Sequence, residues 1–260
     1  MKRKIPFEKY EASGNDFVIL DFFEFELIDL KNRDLIQKIC DRHFGVGADG
    51  LIALCSEEGF DFRMKYFNSD GQASSFCGNG SRAAIRYMMH KQAKFSFSFI
   101  ATDGIHAGFI EEELVSVKMR DIPTFVITPY GSLIESGSPH LIVEVEDPFK
   151  FPVNEKGRLL RHKFDPEGVN VNFIKCSGSK LEIATYERGV EWETLACGTG
   201  VTASAYYKCF KDGLSGEQVV PVKAKGGELE VKMTLNGSSA TEIWLKGEAN
   251  KVFSGFYDLF

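Results

Sequence analysis

The chain has six cysteines and no C-x-x-C pair, and it contains neither a G-x-x-x-x-G-K-[ST] run nor an H-E-x-x-H run. The first absence argues against a zinc ribbon. The other two remove the phosphate-binding loop and the zinc-protease helix. No stretch approaches the roughly 18 apolar residues that a membrane helix needs. Basic charge is scarce too: 31 Lys and Arg face 37 Asp and Glu, for a net charge of −6, and no basic run exceeds the KRK near the start. That balance excludes nucleic acid and anionic membranes as expected partners. The opening MKRKIPFEKY has no apolar segment behind its charges, so a secretory signal is not expected and the expected location is cytoplasmic. A disulfide framework is then not expected either. Cys40, Cys55, Cys176 and Cys209 sit among apolar neighbours and read as reduced, buried, small hydrophobes.

What is present is an ordinary globular composition over 260 residues, 43% hydrophobic and 26% charged, with 23 phenylalanines. Strand-like runs dominate: 17–23, 50–55, 60–67, 94–100, 114–119, 140–146, 169–174, 180–186, 228–235 and 241–247. Several alternate apolar and polar residues, as half-buried strands do. Helix-like runs cover 32–43, 78–91 and 198–213. Strands outnumber helices without strict alternation, so an α+β arrangement is expected rather than a doubly wound parallel sheet. Residues 121–132 hold turn formers without a clear period and read as a connector. GVGADG at 45–50 matches G-x-G-x-x-G, but a helix-like run precedes it and an apolar run follows. The dinucleotide fingerprint needs the opposite order, so no nucleotide site is expected there.

Two segments share one plan. Residues 64–88 and 183–208 each run strand, glycine turn, short loop, Cys-Gly-x-Gly, helix, with FCGNGSRAA at 76–84 and ACGTGVTAS at 196–204. The matching order of four features points to an internal duplication. In each copy the glycines open the backbone to a ligand. The helix start supplies unpaired N–H donors and the positive end of the dipole, which together favour an anion. A cysteine there is expected to ionise readily. Cys77 and Cys197 together suit inversion of a stereocentre without a cofactor. One thiolate removes the α-proton from one face and the opposite thiol protonates the other. The helix starts stabilise the enolate charge on the substrate carboxylate. Asn68 and Asp70 precede Cys77, and Glu187 and Arg188 precede Cys197, where they are placed to orient a substrate. His140 opens an apolar strand, which is the setting of a structural histidine unless a thiol lies beside it.

These residues resemble the diaminopimelate epimerase family. The matching segments are SGNDFVILD (13–21), RHFGVGADG (42–50), FNSDG (67–71), CGNGSR (77–82), GSPH (137–140), NVNF (170–173), YERGVEWETLACGTG (186–200) and GEANKVFSGF (247–256). The resemblance implies two pseudo-symmetric domains, each a mixed β-sheet wrapped round a central helix, with the site between them. The first half is expected over 1–118, with 248–260 returning to it, and the second over 119–247. It implies a cofactor-independent epimerase that interconverts LL- and meso-diaminopimelate, feeding lysine and peptidoglycan synthesis. Carried over by position, Cys77 and Cys197 are the acid/base thiols, His140 the histidine beside them, and Glu187 a further catalytic residue. Asn15, Asn68, Asn170, Glu187 and Arg188 are substrate ligands, and Gly78, Asn79, Gly198 and Thr199 are backbone donors to the reacting carboxylate. No cofactor and no metal are implied. The implied partner is a small-molecule amino-acid substrate, and a homodimer is an admissible assembly.

Two departures from the family bear on substrate choice. Ser138 stands where the family carries asparagine, which predicts a gap or a water beside the substrate. Between Gly189 and Thr194 the chain reads VEWE, where many members of the family are one residue shorter, and this places Trp192 near Glu187 and Arg188. Alternatives of the same fold are a racemase of broader specificity, like the proline racemases, and a phenazine-isomerase-like enzyme. A non-catalytic thiol redox switch between Cys77 and Cys197 is the alternative of another class.

Overall fold

A computed structural model describes residues 3–74, 76–164 and 168–259. The chain divides into two units, Met1–Val117 with Glu248–Phe260, and Lys118–Gly247. Unit 1 opens with an antiparallel hairpin of β1 (Arg3–Ala12) and β2 (Asn15–Asp21). Its turn places Ser13 and Gly14 at φ of 54° and 79°, the left-handed pair that tight hairpins require. Helix α1 (Arg33–Cys40) crosses to β3 (Gly50–Glu57), which lies parallel to β2. Asn32 starts the helix by accepting the Leu35 N–H at 3.1 Å. Strand β4 (Phe60–Asn68) returns antiparallel to β3, and the short β5 (Ala73–Ser74) pairs with it. Helix α2 (Gly78–Gln92) then leads to β6 (Ser96–Ala101), parallel to β4, and on to the antiparallel β7 (Gly104–Glu111) and β8 (Leu114–Lys118).

Unit 2 repeats the scheme with β9 (Phe125–Thr128), β10 (Gly131–Glu135), β11 (Pro139–Glu144), α3 (Val153–Arg161), β12 (Asn170–Ser177), β13 (Lys180–Glu187), β14 (Trp192–Thr194), α4 (Gly198–Lys211), β15 (Gly216–Ala224), β16 (Gly227–Asn236) and β17 (Ser239–Gly247). The pairings correspond one for one. The parallel β11–β12 pair matches β2–β3, the antiparallel β12–β13 pair matches β3–β4, and the parallel β13–β15 pair matches β4–β6. Strand β18 (Asn250–Leu259) returns to unit 1 and pairs antiparallel with β1. In unit 2 the corresponding place beside β10 is taken by β9, from that unit's own start.

The central strands are buried on both faces, which is why they read as unbroken apolar runs. In β2, Val18 and Leu20 pack with Ile36 and Ile39 of α1, so by the two-residue period Phe17 and Ile19 point the other way. Helix α2 buries Gly78 through Arg86 and Met88, and α4 buries ten of its fourteen residues. Neither has a solvent stripe wide enough to show a clean amphipathic period, because each is enclosed by strands. Each unit is thus a mixed sheet around a central helix.

Several elements escaped the sequence patterns. Residues 121–132 are not merely a connector: they contain β9 and the start of β10. Helix α3 was not expected. It starts at Pro152 without a side-chain cap and buries only Val153 and Gly157. Its Gly157 is weak in a helix, but a Cβ there would lie 2.4 Å from the Cβ of Tyr186, so packing against β13 dictates it. Among the described residues no helix is long and apolar enough to cross a membrane, and no cluster of side chains suits a metal ion.

Candidate active site

In unit 1, Cys77 is the N-cap of α2, with extended backbone at φ −132° and ψ 110°. Its Sγ accepts the Gly80 N–H at 3.3 Å, and the first intrahelical bond runs from Ser81 N–H to the Cys77 carbonyl. Asn15, at the start of β2, places Oδ1 3.9 Å from Cys77 Sγ and 3.3 Å from Asn79 Nδ2. Its orientation is fixed from behind, since Nδ2 donates to Asp49 Oδ2 at 2.7 Å. Asp49 is in turn held by Arg42 at 2.6 Å, and Arg42 also forks onto both oxygens of Asp16. Lys9, buried, completes the cluster with Asp16 at 2.8 Å and the Gly47 carbonyl. Burial would raise the Asp16 carboxyl, but its bonds to Arg42 and Lys9 outweigh that and hold it at about 2. The sequence pattern missed this support. Asp49 and Gly47 belong to the GVGADG run that imitates a nucleotide fingerprint.

In unit 2, Cys197 is the N-cap of α4 in nearly the same backbone conformation, φ −116° and ψ 113°, but without a side-chain cap bond. Its Sγ lies 3.5 Å from Thr199 Oγ1, which lies 2.9 Å from His140 Nε2. His140 is fully buried. Asn172 Nδ2 donates to its Nδ1 at 3.0 Å and to the Leu141 carbonyl at 3.3 Å, while Thr185 Oγ1 donates to Asn172 Oδ1 at 2.9 Å. That network assigns the amide orientation and hence the tautomer. Nδ1 is an acceptor already in use, so the ring proton sits on Nε2 and points at Thr199 and Ser138. Burial is the main force driving the ring's pKa down to about 3, with the charge of Arg188 adding to it. His140 is therefore a neutral donor joined to Cys197 through the Thr199 hydroxyl. Its link to Cys197 runs through that hydroxyl and not by a direct contact.

Gly200 makes that packing possible: a Cβ on it would lie 2.4 Å from Asn172 Oδ1 and 3.3 Å from the His140 ring. Ser138 is engaged within the protein. Its Oγ lies 3.0 Å from His140 Nε2 and 3.3 Å from Thr199 Oγ1, and it accepts from Asn170 Nδ2 at 3.1 Å.

The remaining expected ligands fall near the ends of strands. Asn170 starts β12 and donates to Ser138 Oγ and the Pro139 carbonyl, while its Oδ1 accepts the Arg188 N–H at 2.9 Å. Glu187 ends β13 and its Oε2 accepts from Thr194 Oγ1 at 3.0 Å. Trp192 is its cross-strand partner and is 62% exposed. Arg188 Nη1 reaches the Gly168 carbonyl at 3.4 Å. Asn68, exposed, ends β4 and closes the turn with Gly71 through its carbonyl. Gly78 and Asn79 open α2, and Gly198 and Thr199 open α4, where N–H groups have no preceding carbonyl four residues back. Burial raises the thiols of Cys40 and Cys209 to about 12 and about 11, and raises Cys55 and Cys176 as well. Cys40 and Cys209 are buried packing groups, whereas Cys55 and Cys176 are only half-buried, short of the burial expected of them.

A family model described as diaminopimelate epimerase matches residues 7–115 and 132–252. A diaminopimelate epimerase of Flavobacterium psychrophilum is 38% identical over 250 residues, covering 94% of this chain and 97% of that one. One from Aquifex aeolicus is 38% identical over 276 residues, covering 96% and 97%. Among solved structures, a phenazine biosynthesis protein of the PhzF family from Bacillus anthracis superposes with a TM-score of 0.77 at 16% identity, over 99% of this chain and 100% of that one. A hydroxyproline epimerase from Agrobacterium vitis gives 0.72 at 14%, over 100% and 94%. These two similarities establish the fold alone. The family match and the full-length relatives go further: the chain belongs to the diaminopimelate epimerase family, and it is an isomerase.

Proposed function

We propose that this protein interconverts LL- and meso-diaminopimelate without a cofactor, using Cys77 and Cys197 as an acid/base pair, in the service of lysine and peptidoglycan synthesis. The observation that carries the reading is the repetition. Two units of one strand order each end a loop in a cysteine that caps a buried helix. One sulfur, as thiolate, takes the α-proton and becomes a thiol. The other, as thiol, delivers its proton to the opposite face and becomes a thiolate. The carbanion between these steps is an enolate, so its charge moves to the carboxylate oxygens. The N–H groups of Gly78, Asn79, Gly198 and Thr199 are donors of the kind that stabilise such charge. Glu187 and Arg188 carry the charges that suit the distal ammonium and carboxylate of diaminopimelate. The test is α-proton exchange of LL-diaminopimelate in D₂O with no pyridoxal phosphate. Exchange coupled to epimerisation is expected from the native chain. A folded Cys77→Ser or Cys197→Ser protein turning over at the native rate overturns the two-thiol reading.

One observation favours a second reading, a racemase that also accepts a smaller acidic amino acid. Asn170, expected to bind the distal end of the substrate, has both amide hydrogens and one oxygen lone pair committed within the protein. Distal selection then rests on fewer side chains. Exchange confined to diaminopimelate, and absent with glutamate, excludes this reading.

A further inference from the structure

One buried charge has no part in the chemistry above. Arg82, on α2, is fully buried. Its Nη2 donates to Ser13 Oγ and Asn79 Oδ1, each at 3.0 Å. Nε and Nη1 have no hydrogen-bond partner among the described residues. Both acceptors are neutral, so the guanidinium sits in the protein interior without a carboxylate against it, a costly arrangement. Burial draws its pKa down to about 10, and it remains a cation at neutral pH. Two anionic groups resist that fall, the Cys77 thiolate first and Glu11 second. Glu11 is already engaged, since its two oxygens accept from the Gly14 N–H and the Asn250 amide. Side chains join the guanidinium to the sulfur: Asn79 accepts from Arg82 and donates to Asn15 Oδ1, which faces Cys77 Sγ at 3.9 Å.

The duplication supplies a control. Arg82 stands five residues after Cys77, and Thr202 stands five after Cys197. Thr202 is neutral and bonds back to the Gly198 carbonyl of its own helix at 2.9 Å. The group joined to Cys197 is a hydroxyl backed by a neutral imidazole. The charge of Arg188 also acts on the His140 side, but Arg188 is half-buried and screened by solvent, whereas Arg82 is fully enclosed, so the two sulfurs are electrostatically unequal.

We propose that Arg82 is a positioning residue that makes Cys77 the more acidic of the two thiols, so that Cys77 is the thiolate and Cys197 the thiol of the resting pair. This rests on the two-thiol reading above. Attraction is reciprocal: a thiolate that favours the guanidinium is favoured by it equally. Apolar neighbours magnify the effect, for the Gly80 end of the helix packs on Ile52 of β3 and Met64 of β4. The Gly80 N–H adds a donor to the same sulfur. Other charges from the surrounding elements are compensated. Asp49 and Asp16 are paired by Arg42 and Lys9. His106 of β7, stacked on Phe76 at 4.4 Å, is tied to Asp103 at 3.0 Å. Asn15 Oδ1 opposes the effect by facing the sulfur, but at 3.9 Å it is a weak acceptor for S–H.

The test needs no substrate, so its failure is separable from failure of the epimerase reading. Alkylation of Cys77 by iodoacetamide is followed against pH by peptide mass spectrometry in a Cys197→Ser background. Arg82→Gln and Arg82→Met are each expected to move the midpoint upward and slow alkylation at pH 7 about tenfold. A folded variant of either kind with an unmoved midpoint overturns the proposal, because a merely structural arginine alters stability and not the midpoint. Should neither variant fold, the arginine-bearing proteins decide. Cys77 in Cys197→Ser is expected to reach half-reactivity at lower pH than Cys197 in Cys77→Ser, and coincident or reversed midpoints overturn it.

Discussion

The ends of α2 and α4 are two solutions to one problem. Both cap a buried helix with cysteine in almost the same backbone conformation. Around Cys77 the surroundings are ionic: Lys9, Asp16, Arg42 and Asp49 form a cluster that reaches the sulfur through Asn15, and Arg82 lies beneath. On the Cys197 side the hydrogen-bonded chain is uncharged: Thr199, Ser138, His140, Asn172 and Thr185 link hydroxyls, amides and one neutral ring, with the charge of Arg188 acting on that ring from outside the chain. The two copies share the helix start and differ in the layer of side chains behind it.

The comparison breaks most severely if either sulfur is replaced. Serine is far less acidic than cysteine, so Cys77→Ser and Cys197→Ser are each expected to lower kcat by about a hundredfold or more, within the range general acid–base catalysis commands. A coupled assay of epimer formation measures it. Next comes the glycine at the third helical position. Gly200→Ala drives a Cβ into Asn172 Oδ1 and is expected to cost about 1–3 kcal/mol of stability. Gly80→Ala meets the flexible ends of Ile52 and Met64 at 3.2 and 3.4 Å and the Cys77 Cβ at 3.4 Å. There the gain in helix propensity, about 1 kcal/mol, offsets the squeeze, leaving a change near zero. Thermal unfolding of the two variants side by side tests that contrast.

A smaller effect is expected from the second layer. Asp49→Ala releases Asn15, and Thr199→Ala disconnects His140 from Cys197. Each should lower kcat about tenfold through misplacement, with Thr199→Ser close to native. The smallest effect separates the units by acid. His140 is held neutral, with a folded pKa near 3 below its unfolded value near 6.5. The unfolded state therefore binds the proton first, and stability falls as pH drops through 6.5 toward 3. Asp16, held at about 2, loses its contribution only between its unfolded value near 3.9 and 2. Peptides around His140 are expected to lose hydrogen-exchange protection at higher pH than those around Asp16, and His140→Gln should remove the difference.

The sequence made the sulfur atoms, their helices and the strands before them readable, because turn glycines, capping positions and period-two alternation are local signals. It was silent where distant packing decides. Gly157 weakens α3 as a helix but fits under Tyr186. Strand β15 carries Pro221 in its middle, opposite Glu230, which discourages a strand assignment. Arg82 lay inside the quoted CGNGSR motif, yet nothing local distinguishes a buried arginine from a surface one. Asp49 was hidden by a fingerprint read for its glycines. Ser138 was read as the loss of a ligand, whereas its hydroxyl joins three partners.

The strand that closes unit 1 carries one more consequence. β9 comes from the start of unit 2, so that unit has all its strands in one continuous span, whereas β1 waits for β18 at the far end of the chain. On the ribosome the second unit can therefore be finished before the first, inverting the usual order in which domains emerge and close. Until residues 250–259 arrive, β1 keeps an open edge. Unit 1, with the ionic surroundings of Cys77, is then the part of the nascent protein most exposed to mispairing.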